Sequence, residues 1–196
     1  IADTIGRDLL MRTERTGDPI AHFTLQLNAL ATRLGMAHTR FSNPHGLDPK
    51  KGRGSLSTAA DMAKLGIEAS SRSSMLFYSG QKQRVVSVFT TVGEKRLKVK
   101  NTNGLIGIRG IDGLKVGQTA QAGPCLLLTA ARPSKIQKLA DGRSEITPQR
   151  MVVVILNGSD SLKLGEKLLG EGWDRYDAWY AAGMTYTSVE EFLQNL

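Results

Sequence analysis

The sequence predicts a mixed α/β fold of the α+β type, in which an antiparallel β-sheet is flanked by helices. Two observations indicate this class. Helical and strand-like segments fall in separate blocks along the chain, and neighbouring strand-like segments are joined by short turns, as they are in hairpins. We expect a single domain over residues 1–196, with a helical part over about residues 1–80 and a sheet part over about residues 81–196.

The helical part contains three predicted helices. Apolar residues at helical spacing predict the first over residues 1–10. Asp18 is suited to cap a second helix, which we expect to end at Gly35. Thr58 and Asp61 have the spacing of a capping box, with Asp in place of the usual Glu, and they predict the start of a third helix.

The sheet part contains two predicted hairpins, residues 83–100 and residues 111–128. Residues 131–149 are basic and carry no clear pattern, so we expect a long loop there, either disordered or a flexible flap. Residues 151–156 are apolar throughout and predict a strand that is central or covered on both faces. Two more helices are predicted, over residues 157–169 and from a capping box at Ser188 and Glu191.

Composition and charge limit the possible functions. No apolar run is long enough to predict a transmembrane segment. The single cysteine, Cys125, excludes an internal disulfide. The net charge of +8 indicates either simple solubility or attraction to an anionic polymer, such as nucleic acid or cell-wall glycan and teichoic chains. We expect no nucleic-acid partner, because the basic runs lack interleaved aromatic residues and known recognition spacings.

No metal site or cofactor is predicted. His22 and His38 have no partner at metal-binding spacing, and we expect them at the surface or the rim of the core. His45 and Asp48 are close enough in sequence to form a metal pair or an acid–base pair, but no third ligand accompanies them. We favour a structural turn for this loop, with Asp48 bonding nearby backbone amides.

The hairpin over residues 111–128 carries the strongest chemical signal. Lys115 lies at the centre of its first strand, and Gly117 follows two residues later. On an edge strand such a lysine projects into a cleft, and the glycine lets another backbone or a ligand lie close against the strand.

Several segments, taken in order, resemble one known family. They are residues 34–48, LGMAHTRFSNPHGLD; residues 57–63, STAADMA; residues 101–105, NTNGL; residues 112–119, DGLKVGQT; and residues 122–123, AG. Together they are similar to segments of the D-alanyl-D-alanine carboxypeptidases among the low-molecular-mass penicillin-binding proteins. These are serine peptidases of the β-lactamase/transpeptidase fold, and the resemblance covers nearly the whole chain.

The resemblance implies roles for five residues. It assigns Lys115 to electrostatics near the substrate carboxylate and to proton relay, and it assigns the amide of Gln118 to the oxyanion hole. Val116, Gly117 and Thr119 complete the implied substrate-binding stretch. Val116 departs from the family, which has Thr or Ser there. Losing a hydrogen bond from that hydroxyl to a charged carboxylate costs on the order of 1.5–3 kcal/mol.

The family's nucleophile motif, Ser-x-x-Lys, and its Ser-x-Asn motif are both expected upstream of this chain. Ser79 and Lys82 do form a Ser-x-x-Lys, but they fall at the wrong place in the family's order. We therefore expect a fold that is incomplete at its N-terminus, an apolar surface exposed around residues 1–10, and little activity from this chain alone. That surface would be covered by the upstream segment, by a second copy or by a partner.

The predicted function is a serine-type D-Ala-D-Ala carboxypeptidase that hydrolyses the peptidoglycan stem peptide through an acyl-enzyme. The alternative is a non-catalytic module of the same fold that binds cell-wall peptide or a partner protein. By the resemblance, the expected ligands are stem peptides and β-lactams, and the expected location is the cell envelope or periplasm after export.

Overall fold

The computed structural model describes residues 1–183. The predicted helix at Ser188 and Glu191 lies outside the described residues. The helices and strands of the described part fall in separate blocks, as predicted, with four helices first, five strands after them and one helix last: α1 Ala2–Arg12, α2 Pro19–Arg33, α3 Ala59–Ser70, α4 Ser73–Ser79, β1 Gln83–Thr90, β2 Gly93–Lys100, β3 Ile111–Thr119, β4 Gly123–Lys138, β5 Ser144–Ile155 and α5 Ser161–Ala181.

The first two helices form a tightly packed pair. Asp18 caps α2, and its carboxylate accepts a hydrogen bond of 2.9 Å from the amide of Ile20, as predicted. Gly6 of α1 lies against the start of α2, where an added Cβ would stand 2.1 Å from the carbonyl oxygen of Pro19. The close approach of these two backbones therefore requires glycine at position 6.

The third helix begins as predicted, and a fourth follows that the sequence analysis did not predict. The hydroxyl of Thr58 accepts a hydrogen bond of 3.2 Å from the amide of Asp61. The Asp61 carboxylate does not return to the cap residue and instead binds the loop after α2. Helix α4 carries little helical signal in the sequence, because three of its seven residues are serine, which has a modest helix propensity.

Two antiparallel sheets are present among the described residues, which confirms the predicted fold class. One is the β1–β2 hairpin and the other has the strand order β3-β4-β5. Residues 151–156 fall mainly in β5, and this three-stranded sheet is covered on both faces. Leu126 faces Gly165 of α5 on one side, and Val152 faces Gly66 of α3 on the other. The expectation of a strand covered on both faces is therefore correct.

The prediction of a flexible flap over residues 131–149 is wrong. β4 continues to Lys138 and β5 starts at Ser144, and the two strands stay paired through this stretch with an irregularity between Arg132 and Lys135. Asp141 makes the connecting turn, where its carboxylate accepts a hydrogen bond of 3.0 Å from the amide of Arg143. The basic composition of this stretch suggested a loop, although the dipeptide Asp141-Gly142 is a turn signal between two strands.

The main core lies between the three-stranded sheet and α5. Trp173 of α5 is buried, and its ring makes an edge-to-face contact of 5.7 Å with Tyr176. The guanidinium of Arg132 lies over the same indole, 4.3 Å from the ring centre. The aromatic end of α5 thus packs against the sheet. The expected end of this helix at residue 169 is wrong, because α5 continues through Gly170 and Gly172 to Ala181. The buried members of this core are Leu105, Ile106, Ile111, Leu126, Leu128, Ala130, Val153, Ile155, Leu169 and Trp173.

Candidate functional site

Lys115 lies on the exposed edge strand of the three-stranded sheet. β3 pairs with β4 along one edge, and no strand pairs with its other edge within residues 1–183. Lys115 is exposed and stands opposite Leu127. Because paired residues of antiparallel strands project to the same face, Lys115 points to the face covered by α3, where Leu127 also packs. Its Nζ donates to the carbonyl oxygen of Val116.

The space beside β3 is closed at one end and open at the other. A Cβ built on Gly113 would lie 2.7 Å from the hydroxyl oxygen of Ser79, so α4 seals the start of the strand. A Cβ built on Gly117 would meet no atom within 4 Å. The space beside Gly117 is therefore open, on the face to which Lys115 also belongs, and we call this open space the cleft.

The side chain of Val116 points away from this cleft. It is half-buried and packs against the core beneath α5. Gln118, two residues later on the same face, is exposed. The predicted site residues thus lie on both faces of β3. Lys115, Gly117 and Thr119 are on the cleft face, and Val116 and Gln118 are on the other.

Asp48 holds the end of β3 in place, a role that the sequence analysis did not predict. Its carboxylate accepts hydrogen bonds of 2.8 Å from the hydroxyl of Thr119 and 3.0 Å from the amide of Gln121. Thr119 in turn accepts a bond of 3.0 Å from the amide of Ala122. The loop after α2 is therefore fastened to the turn of the central hairpin, across 71 residues of sequence between Asp48 and Thr119.

The imidazole groups take no part in a metal or acid–base centre in the part of the chain that the structure describes. Nδ1 of His45 accepts a hydrogen bond of 3.1 Å from the amide of Leu47, which fits the structural turn that we favoured. No cluster of three or more metal-ligating side chains occurs among residues 1–183. His22 is buried in α2, and its Nε2 has no hydrogen-bond partner within that same range.

A buried carboxylate anchors the loop that carries Asp48. Asp61 of α3 accepts hydrogen bonds of 2.8 Å from the amide of His38 and 2.9 Å from the hydroxyl of Thr39. Burial disfavours the charged carboxylate, but the hydrogen bonds from Thr39 and His38 and the nearby charge of Lys64 together outweigh it and hold the pKa of Asp61 below its ordinary value.

A second charged network fixes the start of β3. Arg150 of β5 donates to both carboxylate oxygens of Asp112, each over 2.9 Å, and to the hydroxyl of Thr129 over 2.8 Å. This two-pronged geometry is the strong form of an arginine–carboxylate pair. Arg150 stands opposite Ala131 in the β4–β5 pairing and so shares the face of Leu127 and Lys115. Sequence spacing gave no signal for this pair.

Ser79 does not have the environment of an activated nucleophile. Its hydroxyl donates over 3.2 Å to the backbone carbonyl oxygen of Asp112. The Nζ of Lys82 lies beside Gly107 instead, and no hydrogen bond joins it to Ser79 in the described structure. Ser79 therefore helps to hold β3 against α4, and Lys82 takes no part in that contact.

Comparisons with known proteins agree with this architecture. Residues 16–137 match the family model described as D-alanyl-D-alanine carboxypeptidase. The chain is 33% identical over 111 residues to the D-alanyl-D-alanine carboxypeptidase DacF of Bacillus subtilis, a stretch that covers 56% of this chain and 27% of that protein. It is 28% identical over 129 residues to the carboxypeptidase DacA of Haemophilus influenzae, covering 65% of this chain and 30% of the relative.

Solved structures give the same picture. Penicillin-binding protein D2 of Listeria monocytogenes, in its cefotaxime-bound form, is 31% identical and superposes with a TM-score of 0.59 over 78% of this chain and 56% of that chain. The Streptomyces K15 DD-transpeptidase shares the fold, with a TM-score of 0.69 and 22% identity over 88% of this chain and 60% of that chain.

The stretches matched in the two curated carboxypeptidases span less than a third of the length of either protein. In residues 1–183, no helix combines the length and the apolar content that crossing a membrane requires.

Proposed function

Because this chain belongs to the D-alanyl-D-alanine carboxypeptidase family, we propose that it supplies the Lys115 side of a serine carboxypeptidase site that cleaves the peptidoglycan stem peptide. The observation that carries this proposal is the position of Lys115. It is an exposed cation at the centre of an edge strand, next to the open space at Gly117. An uncovered strand edge with a cation beside it suits an extended peptide that ends in a carboxylate.

Each member of the stretch has a proposed role. Lys115 attracts the terminal carboxylate of the substrate and assists proton transfer at the reacting serine. Gly117 leaves room for the peptide, the amide of Gln118 donates to the developing oxyanion, and Thr119 holds the end of the strand through Asp48. Val116 contributes through its backbone, because its side chain belongs to the core.

The nucleophilic serine is proposed to come from a segment outside these 196 residues. In the reaction, its hydroxyl oxygen attacks the carbonyl between the two D-alanines, the terminal D-alanine leaves with the proton of that hydroxyl, and water then hydrolyses the ester. Two observations support this origin. The hydroxyl of Ser79 donates a hydrogen bond to a backbone carbonyl. The N-terminal residue and the helices α1 and α2 expose apolar side chains that a further segment would cover: Ile1, Ile5, Met11, Ile20 and Leu25.

Further parts of the proposal follow from the family. Residues 1–196 form one partial domain that is completed by the nucleophile-bearing segment, or by a second copy that covers the same surface. The chain works in the cell envelope after export, where the stem peptide is found, and it needs no cofactor. β-Lactams bind in the same cleft, because they react with the same serine.

The test compares the 196-residue chain with the longer product of the same reading frame. We expect the longer product to form a covalent adduct with a labelled penicillin, and Lys115→Ala to slow acylation by about a hundredfold, the lower end of what one acid–base group contributes. Lys138→Ala removes another exposed lysine, eleven residues along β4 from Leu127, the residue that pairs with Lys115, and should leave the rate unchanged. Equal acylation rates for Lys115→Ala and Lys138→Ala would refute the proposed role of Lys115. A longer product that binds stem peptide without any adduct would indicate a non-catalytic module.

A further inference from the structure

The hairpin formed by β1 and β2 stands apart from the rest of the described fold. Within residues 1–183 the two strands pair only with each other, and every residue from position 82 to 100 is exposed except Val86. Eight residues of β1 give the hairpin a length of about 24 Å at the usual rise per residue. A two-stranded hairpin is only marginally stable in water unless another element packs on it. We therefore expect an uncovered hairpin of this length to bind a partner.

The base of the hairpin is firmly held, so its orientation is fixed. Asn101 donates to the backbone carbonyl oxygens of Ser79 over 2.7 Å and Gln81 over 3.1 Å. The guanidinium of Arg84 lies 4.7 Å from the centre of the Tyr78 ring. Beyond these contacts, every residue from 87 to 98 is exposed, so most of the hairpin projects into solvent.

The hairpin is strongly basic. Residues 82–100 contain six Lys or Arg residues and one Glu, a net charge of +5 in a chain whose total is +8. Arg96, Lys98 and Lys100 are alternate residues of β2, so their side chains leave the same face. None of these three has an ion-pair partner within residues 1–183. Val85 and Phe89 of β1 share this face, as does Glu94, which pairs with Phe89. We call this surface, with its three cations and one carboxylate, the basic face.

Large apolar side chains accompany these charges. Phe89 lies on the basic face near the tip and is 81% exposed, and Val92 in the turn is 96% exposed. Lysines on a free strand edge are a common protection against aggregation, but that role does not account for an exposed phenylalanine next to them. Cationic side chains alone would be enough to bind a phosphate-bearing or other anionic polymer. Apolar side chains beside cations are instead typical of a surface that binds lipid.

We propose that the β1–β2 hairpin binds the surface of an anionic lipid bilayer through its basic face. Phe89 and Val92 enter the boundary between headgroups and acyl chains, and Arg96, Lys98 and Lys100 contact acidic headgroups. The contact is peripheral, and it does not depend on whether the Lys115 cleft is catalytic.

Vesicle flotation of the 196-residue chain tests this proposal directly. We expect binding to vesicles of phosphatidylglycerol mixed with phosphatidylcholine, and none to phosphatidylcholine alone. The triple variant Arg96→Gln, Lys98→Gln, Lys100→Gln should weaken binding by about a hundredfold, since each cation near an anionic membrane contributes about fivefold. The matched control Lys50→Gln, Lys51→Gln, Arg53→Gln removes the same charge from another exposed stretch and should weaken binding far less.

The apolar tip separates a membrane from an anionic polymer. Phe89→Ser with Val92→Ser should weaken vesicle binding by about tenfold or more, while binding to soluble polyphosphate should not change. In a Cys125→Ser background, a polarity-sensitive dye at Val92→Cys should shift to the blue on anionic vesicles, a readout that does not depend on affinity. An equal loss for the two triple variants, tight polyphosphate binding with no effect of the tip variant on vesicles, or an unshifted dye would each overturn the proposal.

Discussion

The contact between Asp48 and Thr119 should stabilise the end of the strand that carries Lys115. The Asp48 carboxylate accepts a 2.8 Å bond from the Thr119 hydroxyl and a 3.0 Å bond from the amide of Gln121. A net hydrogen bond to a charged group contributes about 1.5–3 kcal/mol, and the half-buried position of Asp48 favours the lower end of that range. We therefore expect a coupling free energy of about 1.5 kcal/mol between the two side chains.

A double-mutant cycle measures that coupling. Asp48→Ala, Thr119→Val and the double variant are unfolded in urea, and the free energies of unfolding are compared. Thr119→Val also loses the bond from the amide of Ala122, but this loss occurs in both arms of the cycle and cancels. A coupling of this size corresponds to a shift of about 4 °C in the melting temperature for a chain of this length.

The matched control pairs Thr119→Val with Asp18→Ala. Asp18→Ala also removes a carboxylate that accepts a hydrogen bond from a backbone amide. Asp18, however, caps α2 and makes no contact with Thr119. Its variant should destabilise the protein by about 1 kcal/mol, the usual contribution of a helix cap, with a coupling to Thr119 near zero. A coupling between Asp48 and Thr119 that is no larger than this control would refute the account of how the loop holds the hairpin.

Two further changes test the packing of the helical part against the sheet and loop. Gly66→Ala places a Cβ 2.8 Å from Cγ1 of Val152, a side chain with little rotational freedom, and should cost about 1–3 kcal/mol of unfolding free energy in urea. Gly104→Ala, whose added Cβ would have its nearest neighbour 4.0 Å away, should change the unfolding free energy little, and equal effects of the two variants would contradict the close packing. Asp61→Asn should make the free energy of unfolding fall less steeply as the pH is lowered into the acid range. Because the folded-state pKa of Asp61 is lowered, its stabilisation is complete above the ordinary carboxyl pKa of about 3.9 and is lost as the pH falls through the folded value. Identical acid limbs for the parent and the variant would refute this.

Local signals in the sequence predicted most of the fold. Asp18 and Thr58 cap helices where their hydrogen-bonding side chains precede apolar periodicity. The central hairpin formed as predicted because small polar residues and Gly123 separate two runs of strand formers. Each of these signals acts within a few residues, and short-range interactions of this kind are what a single sequence displays.

The errors arose where composition or long-range contacts decided the structure. The basic stretch after Ala131 was expected to be a flap, although Asp141 and Gly142 marked a hairpin turn. The pairing of Asp112 with Arg150, 38 residues apart, could not be predicted from spacing, since the register of β3, β4 and β5 brings the two side chains together. The same applies to Asp48, which reaches the hairpin only through the folded loop.

The central claim is that this chain carries the Lys115 side of a serine carboxypeptidase site and that the nucleophile lies elsewhere. The most direct test is the intact mass of the 196-residue chain after incubation with a labelled penicillin. The account predicts an unchanged mass, because Ser79 donates its hydroxyl to the carbonyl oxygen of Asp112 and has no hydrogen bond to Lys82 in the described structure. A stoichiometric adduct that disappears in Ser79→Ala would contradict the account and make this chain a complete enzyme.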